Sequence, residues 1–182
     1  MGHYASSLLL DEDVYEEMKL WFKGLVAMWR DDDEKEQDCI FIENGKHANE
    51  QRHMTIECIP MPKEPGDLAP IYFKKAIMDS EKEWSDNKKL IELSKSQYNG
   101  NIRKAVPKGF PFFSVNFGLQ PGYAHVIEHE NIFPDTFAQE IVAGMMNLPH
   151  SHWRKVKPQS FNEIKEKGIS SAPNGKNMTG LR

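Results

Sequence analysis

His53-Met54-Thr55-Ile56-Glu57-Cys58-Ile59 alternates strictly between polar and apolar side chains. Successive side chains of a β-strand point to opposite faces. Met54, Ile56 and Cys58 therefore share one face, and His53, Thr55 and Glu57 the other. The alternation predicts a strand over residues 50–62 with one covered face. Just upstream, Cys39-Ile40-Phe41-Ile42 is an unbroken apolar run, which predicts a strand over residues 38–43 covered on both faces. Residues 44–49, with Gly45, read as the loop between them.

Working outward, Val14, Met18, Phe22, Leu25 and Trp29 recur at steps of three and four. They predict a helix over residues 11–29, with Asp11, Glu12 and Asp13 in the dipole-favoured first turn. Residues 31–36 read as a solvated acidic turn. Downstream, Pro60, Pro62, Pro65 and Gly66 punctuate the chain and divide it into modules 1–62 and 63–160. Asp67 is placed to cap a helix running to residue 84, and residues 87–93 read as a short helical piece before a mobile polar loop at 94–101. Phe113, Val115 and Phe117 share one face of a strand over 112–117. A strand over 123–128 pairs with it through a Leu119-Gln120-Pro121-Gly122 turn. His125 alternates with Tyr123 and Ile127 and reads as partly buried and structural. Residues 134–146 read as a helix, with Phe137, Ile141 and Met145 inward and Pro134 in its first turn. The stretch 161–182 is too poor in apolar side chains to order itself. The fold class is α+β.

Lys and Arg number 23 against 27 Asp and Glu in 182 residues, a net charge of −4. Contact with a nucleic acid therefore requires a local basic patch. No stretch approaches the ~20 apolar residues of a membrane span. Cys39 and Cys58 both sit in apolar runs and read as buried reduced thiols of an intracellular protein.

Histidine-triad nucleotide hydrolases carry three histidines at alternate positions of such a strand, aimed at a phosphate, with the middle one attacking phosphorus. Here those positions read His53, Thr55 and Glu57. A threonine hydroxyl is a poor nucleophile without a base, and a carboxylate beside the phosphate path repels the anion. Taken alone, the pattern is also what any half-exposed strand shows. Longer blocks carry a family resemblance. They are Glu57-Cys58-Ile59-Pro60-Met61-Pro62-Lys63-Glu64, Ala69-Pro70-Ile71-Tyr72-Phe73-Lys74-Lys75-Ala76, Pro111-Phe112-Phe113-Ser114-Val115-Asn116-Phe117-Gly118, Ala124-His125-Val126-Ile127-Glu128 and Trp153-Arg154-Lys155. Across residues 3–157 the chain resembles the C-terminal region of the CwfJ family, and within it the second Cwf-nineteen-like subtype.

That resemblance implies an N-terminally truncated histidine-triad-like α/β module of antiparallel strands plus a helix, then a small α+β module specific to the family. It also implies a nuclear, non-catalytic factor of the late, intron-lariat spliceosome. The implied partners are spliceosomal proteins and RNA (small nuclear RNA or the intron lariat), and the lariat-debranching enzyme that a relative joins. Family members carry zinc-ligand cysteines and a histidine upstream, of which only His3 corresponds here, so neither a metal nor another cofactor is assigned.

Arg103, Lys104 and Lys108 precede Phe112 and combine basic charge with stacking surface, as single-stranded RNA sites do. Without the family, a buried Phe113 and loop-solvating cations explain them equally. Trp153, Arg154 and Lys155 form the most basic short run, read as a phosphate contact or a solvated helix end. Arg52 and His53 are candidates to hold a phosphate in the remnant pocket. Two rival functions are a histidine-triad-type nucleotide or phosphodiester hydrolase, and a protein-only adapter.

Overall fold

The computed structural model describes residues 4–30, 37–46, 53–80, 90–150 and 160–165. A 3₁₀ turn, Ser7–Leu9, leads into α1 (Glu12–Arg30), followed by β1 (Gln37–Asn44), β2 (Ile56–Pro62) and α2 (Lys63–Asp79). Then come β3 (Ile91–Glu92), α3 (Ile102–Ala105), β4 (Phe112–Phe117), β5 (Gln120–Val126) and α4 (Phe137–Met145). All strand pairs are antiparallel, and together they build one five-stranded sheet in the order β2-β1-β4-β5-β3. Helices cover both faces of it, which is the α+β class expected.

The two faces have separate cores. Ile40, Ile42, Met61, Phe113 and Val115 turn one way and pack with Ala69, Phe73 and Ile77 of α2 and Phe137, Ala138 and Val142 of α4. Cys39 and Phe41 turn the other way onto Val26, Phe22, Leu25 and Trp29 of α1. That arrangement is why the β1 run is apolar without alternation. The helix-spaced residues of α1 do line its inner side, but the residues fully buried there are Tyr15, Gly24 and Val26.

Several boundaries differ from the sequence reading, each for a physical reason. The alternating strand is regular only from Ile56, so His53 and Thr55 precede β2. Pro60 and Pro62 lie inside β2 without breaking it, because β2 is an edge strand and its outer N–H groups have no ladder partner to lose. Helix α2 begins at Lys63, ahead of Asp67. Pro65 falls in its first turn, where a missing N–H is of no consequence. Gly66 lets the helix close on β1, since a Cβ there would meet the Asp38 Cβ at 2.8 Å.

Ile91 and Glu92 are a strand paired with Ala124 and Tyr123, not a helical piece. Residues 94–101 form hydrogen-bonded turns closed by Gly100 N–H donating to Leu93 O at 2.9 Å. The β4–β5 connection is tighter than expected: Phe117 pairs with Gln120, leaving Gly118 and Leu119 as the two-residue loop. Gly118 takes φ 57°, as a first loop residue in such hairpins requires. Helix α4 starts at Phe137 rather than at Pro134, and it buries Phe137, Ala138, Val142 and Ala143. The acidic turn at 31–36, residues 87–89 and residues 166–182 lie outside the described residues, whereas 161–165 are helical.

Candidate functional site

His53, Thr55 and Glu57 are all exposed. Glu57 pairs across the ladder with Ile42 and so lies on the sheet face that α2 and α4 cover. Gln139 of α4 reaches it, its Nε2 donating to both carboxylate oxygens at 2.7 and 2.8 Å. The Glu57 carboxylate is thus tied to a helix of the C-terminal half. Nearby, Lys46 anchors the chain beyond β5. Its Nζ donates to Phe133 O and to Asp135 Oδ1, each at 2.7 Å, with the side chain 10% exposed. Burial, first of all, pushes the Cys39 thiol up to about 12, and it raises Cys58 as well.

The basic candidates separate. Arg103 Nη1 donates to Glu12 Oε2 at 2.7 Å, and its guanidinium sits 5.2 Å from the Tyr15 ring centroid, which pins α3 to α1. Asn101 caps α3, its side chain accepting from Arg103 N. Lys104 and Lys108 are exposed. Phe112 is a correction: it is fully buried in the core with Ala124 and Val126, so its ring has no face to offer a base. The exposed aromatic of this segment is Phe110, with 47% of its surface accessible, two residues from Lys108. Arg52, Trp153, Arg154 and Lys155 lie outside the described residues.

The sequence reading passed over two further cations. Lys19 and Lys23 of α1, one helical turn apart, stand on the same side as Arg103, with Lys19 Nζ 5.3 Å from the Tyr15 centroid. Their signal was present as an i, i+4 pair, but exposed lysines on an amphipathic helix carry no distinguishing mark. Glu16 and Glu12 partner Lys19 and Arg103 at the surface, and exposed pairs of this kind contribute only ~0–1 kcal/mol. Among the described residues no group of His, Cys, Asp and Glu is gathered as metal ligands, and no helix is long and apolar enough to cross a membrane.

A five-stranded antiparallel sheet built from both halves of the chain, with helices on both faces, is the frame that holds these residues. Residues 1–74 match the family described as "Protein similar to CwfJ C-terminal", and residues 83–169 match "Protein similar to CwfJ C-terminus 2". The chain belongs to the CwfJ family and carries both of its C-terminal regions. It is 50% identical over 172 residues to CWF19-like protein 2 of Homo sapiens, covering 94% of this chain and 18% of that protein. The CWF19-like protein 2 homolog of Caenorhabditis elegans is 48% identical over 165 residues, or 91% of this chain and 34% of the relative. The pre-mRNA-splicing factor cwf19 of Schizosaccharomyces pombe is 35% identical over 153 residues, or 81% of this chain and 24% of the relative. The chain thus spans 18–34% of the length of these relatives. The two matched segments share one sheet, β1 and β2 coming from the first and β3, β4 and β5 from the second.

Proposed function

We propose that this chain serves pre-mRNA splicing as a non-catalytic, nuclear binding region of the late, intron-lariat spliceosome, contacting RNA and neighbouring proteins. The splicing role is supported by the name of the fission-yeast relative, a pre-mRNA-splicing factor. The observation that carries the non-catalytic reading is the Gln139–Glu57 contact. It commits the third triad position to a helix, while Thr55 replaces the nucleophile. RNA contact falls to Arg103, Lys104 and Lys108 with Phe110, and by extension to Lys19 and Lys23. His53, Arg52 and the 153–155 run remain candidates for further phosphates.

The test is a titration of single-stranded RNA at rising salt. Binding is expected to weaken steeply with salt, and replacing Lys104 and Lys108 by Ala is expected to lower both affinity and salt slope. Unchanged binding by that pair variant would place the RNA elsewhere. A protein-only adapter role, including one toward a debranching enzyme, has its own support. Leu68, Ile71, Tyr72 and Met78 make an exposed apolar stripe along α2. Crosslinks to proteins without RNA would favour that role.

A further inference from the structure

A cleft of about 170 Å³ lies between α1 and the sheet, on the face opposite Glu57. Its floor is a square of side chains on neighbouring strands. Phe41 pairs with Asn116, and Glu43 pairs with Ser114. Tyr15, Met18 and Phe22 of α1 form the roof. A sheet face beneath an amphipathic helix is ordinarily apolar, yet three of these four floor residues are polar.

Glu43 is the most conspicuous of them. It is 5% exposed, and Ser7 N–H donates to its Oε1 at 2.8 Å. The buried Ser7 hydroxyl makes no hydrogen bond. A carboxylate has room for about four hydrogen bonds, so the pocket keeps acceptor capacity in a place where unmet capacity is costly. Asn116 Oδ1 accepts from Gly122 N–H at 3.1 Å, which fixes the amide and leaves its NH₂ as the donor. At the mouth stand Lys19 and Lys23, with Arg103 against the same Tyr15 ring as Lys19.

We propose that this cleft binds a guanine base, with Glu43 accepting from N1–H and the N2 amino group, Asn116 donating to O6, and Lys19 and Lys23 meeting the phosphate. The cations at the mouth disfavour a positively charged ligand and favour a phosphate-bearing one. The floor demands adjacent donors beside an acceptor, and the Watson–Crick edge of guanine presents them. The volume, below the ~300–1,000 Å³ of sites for drug-sized ligands, suits a base with its sugar outside. The base could belong to RNA or to a free guanine nucleotide. The RNA form rests on the RNA-binding reading above and names the base it reads.

The test titrates the full chain with GMP, with AMP, and with single-stranded RNA heptamers containing or lacking guanine. GMP is expected to bind at least about tenfold tighter than AMP, the discrimination one bidentate base contact gives. Glu43→Gln should remove that preference while the protein still unfolds cooperatively. Met18→Trp, which fills the cleft from the roof, should weaken GMP and guanine-containing RNA together, and it decides the matter if the Glu43 variant fails to fold. Equal binding of GMP and AMP, or GMP binding untouched by Met18→Trp, overturns the proposal. RNA binding without base preference overturns the pocket and spares the RNA reading. Glu43-dependent GMP binding with no RNA bound supports the pocket and sinks the RNA reading.

Discussion

Gln139 of α4 holds both carboxylate oxygens of Glu57 of β2, 82 positions earlier in the chain, at 2.7 and 2.8 Å. The contact joins the segment matched by the second family region to strand β2 of the first. Replacing Glu57 by histidine would remove it.

It follows that restoring the nucleophile alone restores nothing. Thr55→His is expected to show no turnover of nucleoside phosphoramidates or dinucleoside polyphosphates above buffer, because Glu57 still repels the anion. Turnover by the unaltered protein that His53→Ala abolishes would reverse the assignment.

Burial raises the Glu43 carboxyl above its ordinary 4.5, with the Ser7 amide opposing the shift. The folded state then holds this proton to a higher pH than the unfolded chain does. Glu43 therefore costs stability as pH rises from about 4.5 through the raised value. Glu43→Gln should match the parent in urea unfolding near pH 4.5 and exceed it at pH 7, even as it loses the guanine preference. A variant less stable than the parent at pH 7 would show that the carboxylate is a structural cap.

Lys46 ties the β1 end to the segment before α4 through two bonds of 2.7 Å. Lys46→Met keeps the aliphatic stem but strands the Phe133 carbonyl. A loss of about 1–3 kcal/mol in chemical unfolding is expected. No change would mean that the carbonyl finds water.

Gly122 sits where a Cβ would lie 2.1 Å from Val115 O, opposite the irregularity in β4 between Val115 and Phe117. Gly122→Ala should cost more than about 3 kcal/mol, because backbone rather than a flexible side chain must move. Gly144→Ala meets nothing within 4 Å and is the control, expected to be neutral or stabilising.

These positions also show what could be read in the sequence. Helix α1, the doubly covered β1 and β4 were legible because their apolar spacing alone fixes element type. The start of α2 was not: Pro65-Gly66 reads as a breaker, and only the approach to Asp38 shows why glycine stands there. Strand β3, two residues long, has too little pattern to announce itself. At the site, the alternation of His53, Thr55 and Glu57 was visible at once, whereas the Gln139–Glu57 bond is a long-range contact without a local signature. Phe112 misled because β4 alternates, which puts Phe112 on the face it shares with the polar Ser114 and Asn116. That face lies under α1, beside Glu43.

Binding of RNA by the α1–α3 side is tested by ultraviolet crosslinking of the full-length protein in nuclear extract, with sequencing of the attached RNA and mapping of the crosslinked peptides. The account predicts intron-derived RNA attached on the α1–α3 side, around Lys19, Lys23, Lys104 and Phe110. Protein crosslinks alone, or RNA attached only around His53 and Thr55, would contradict it.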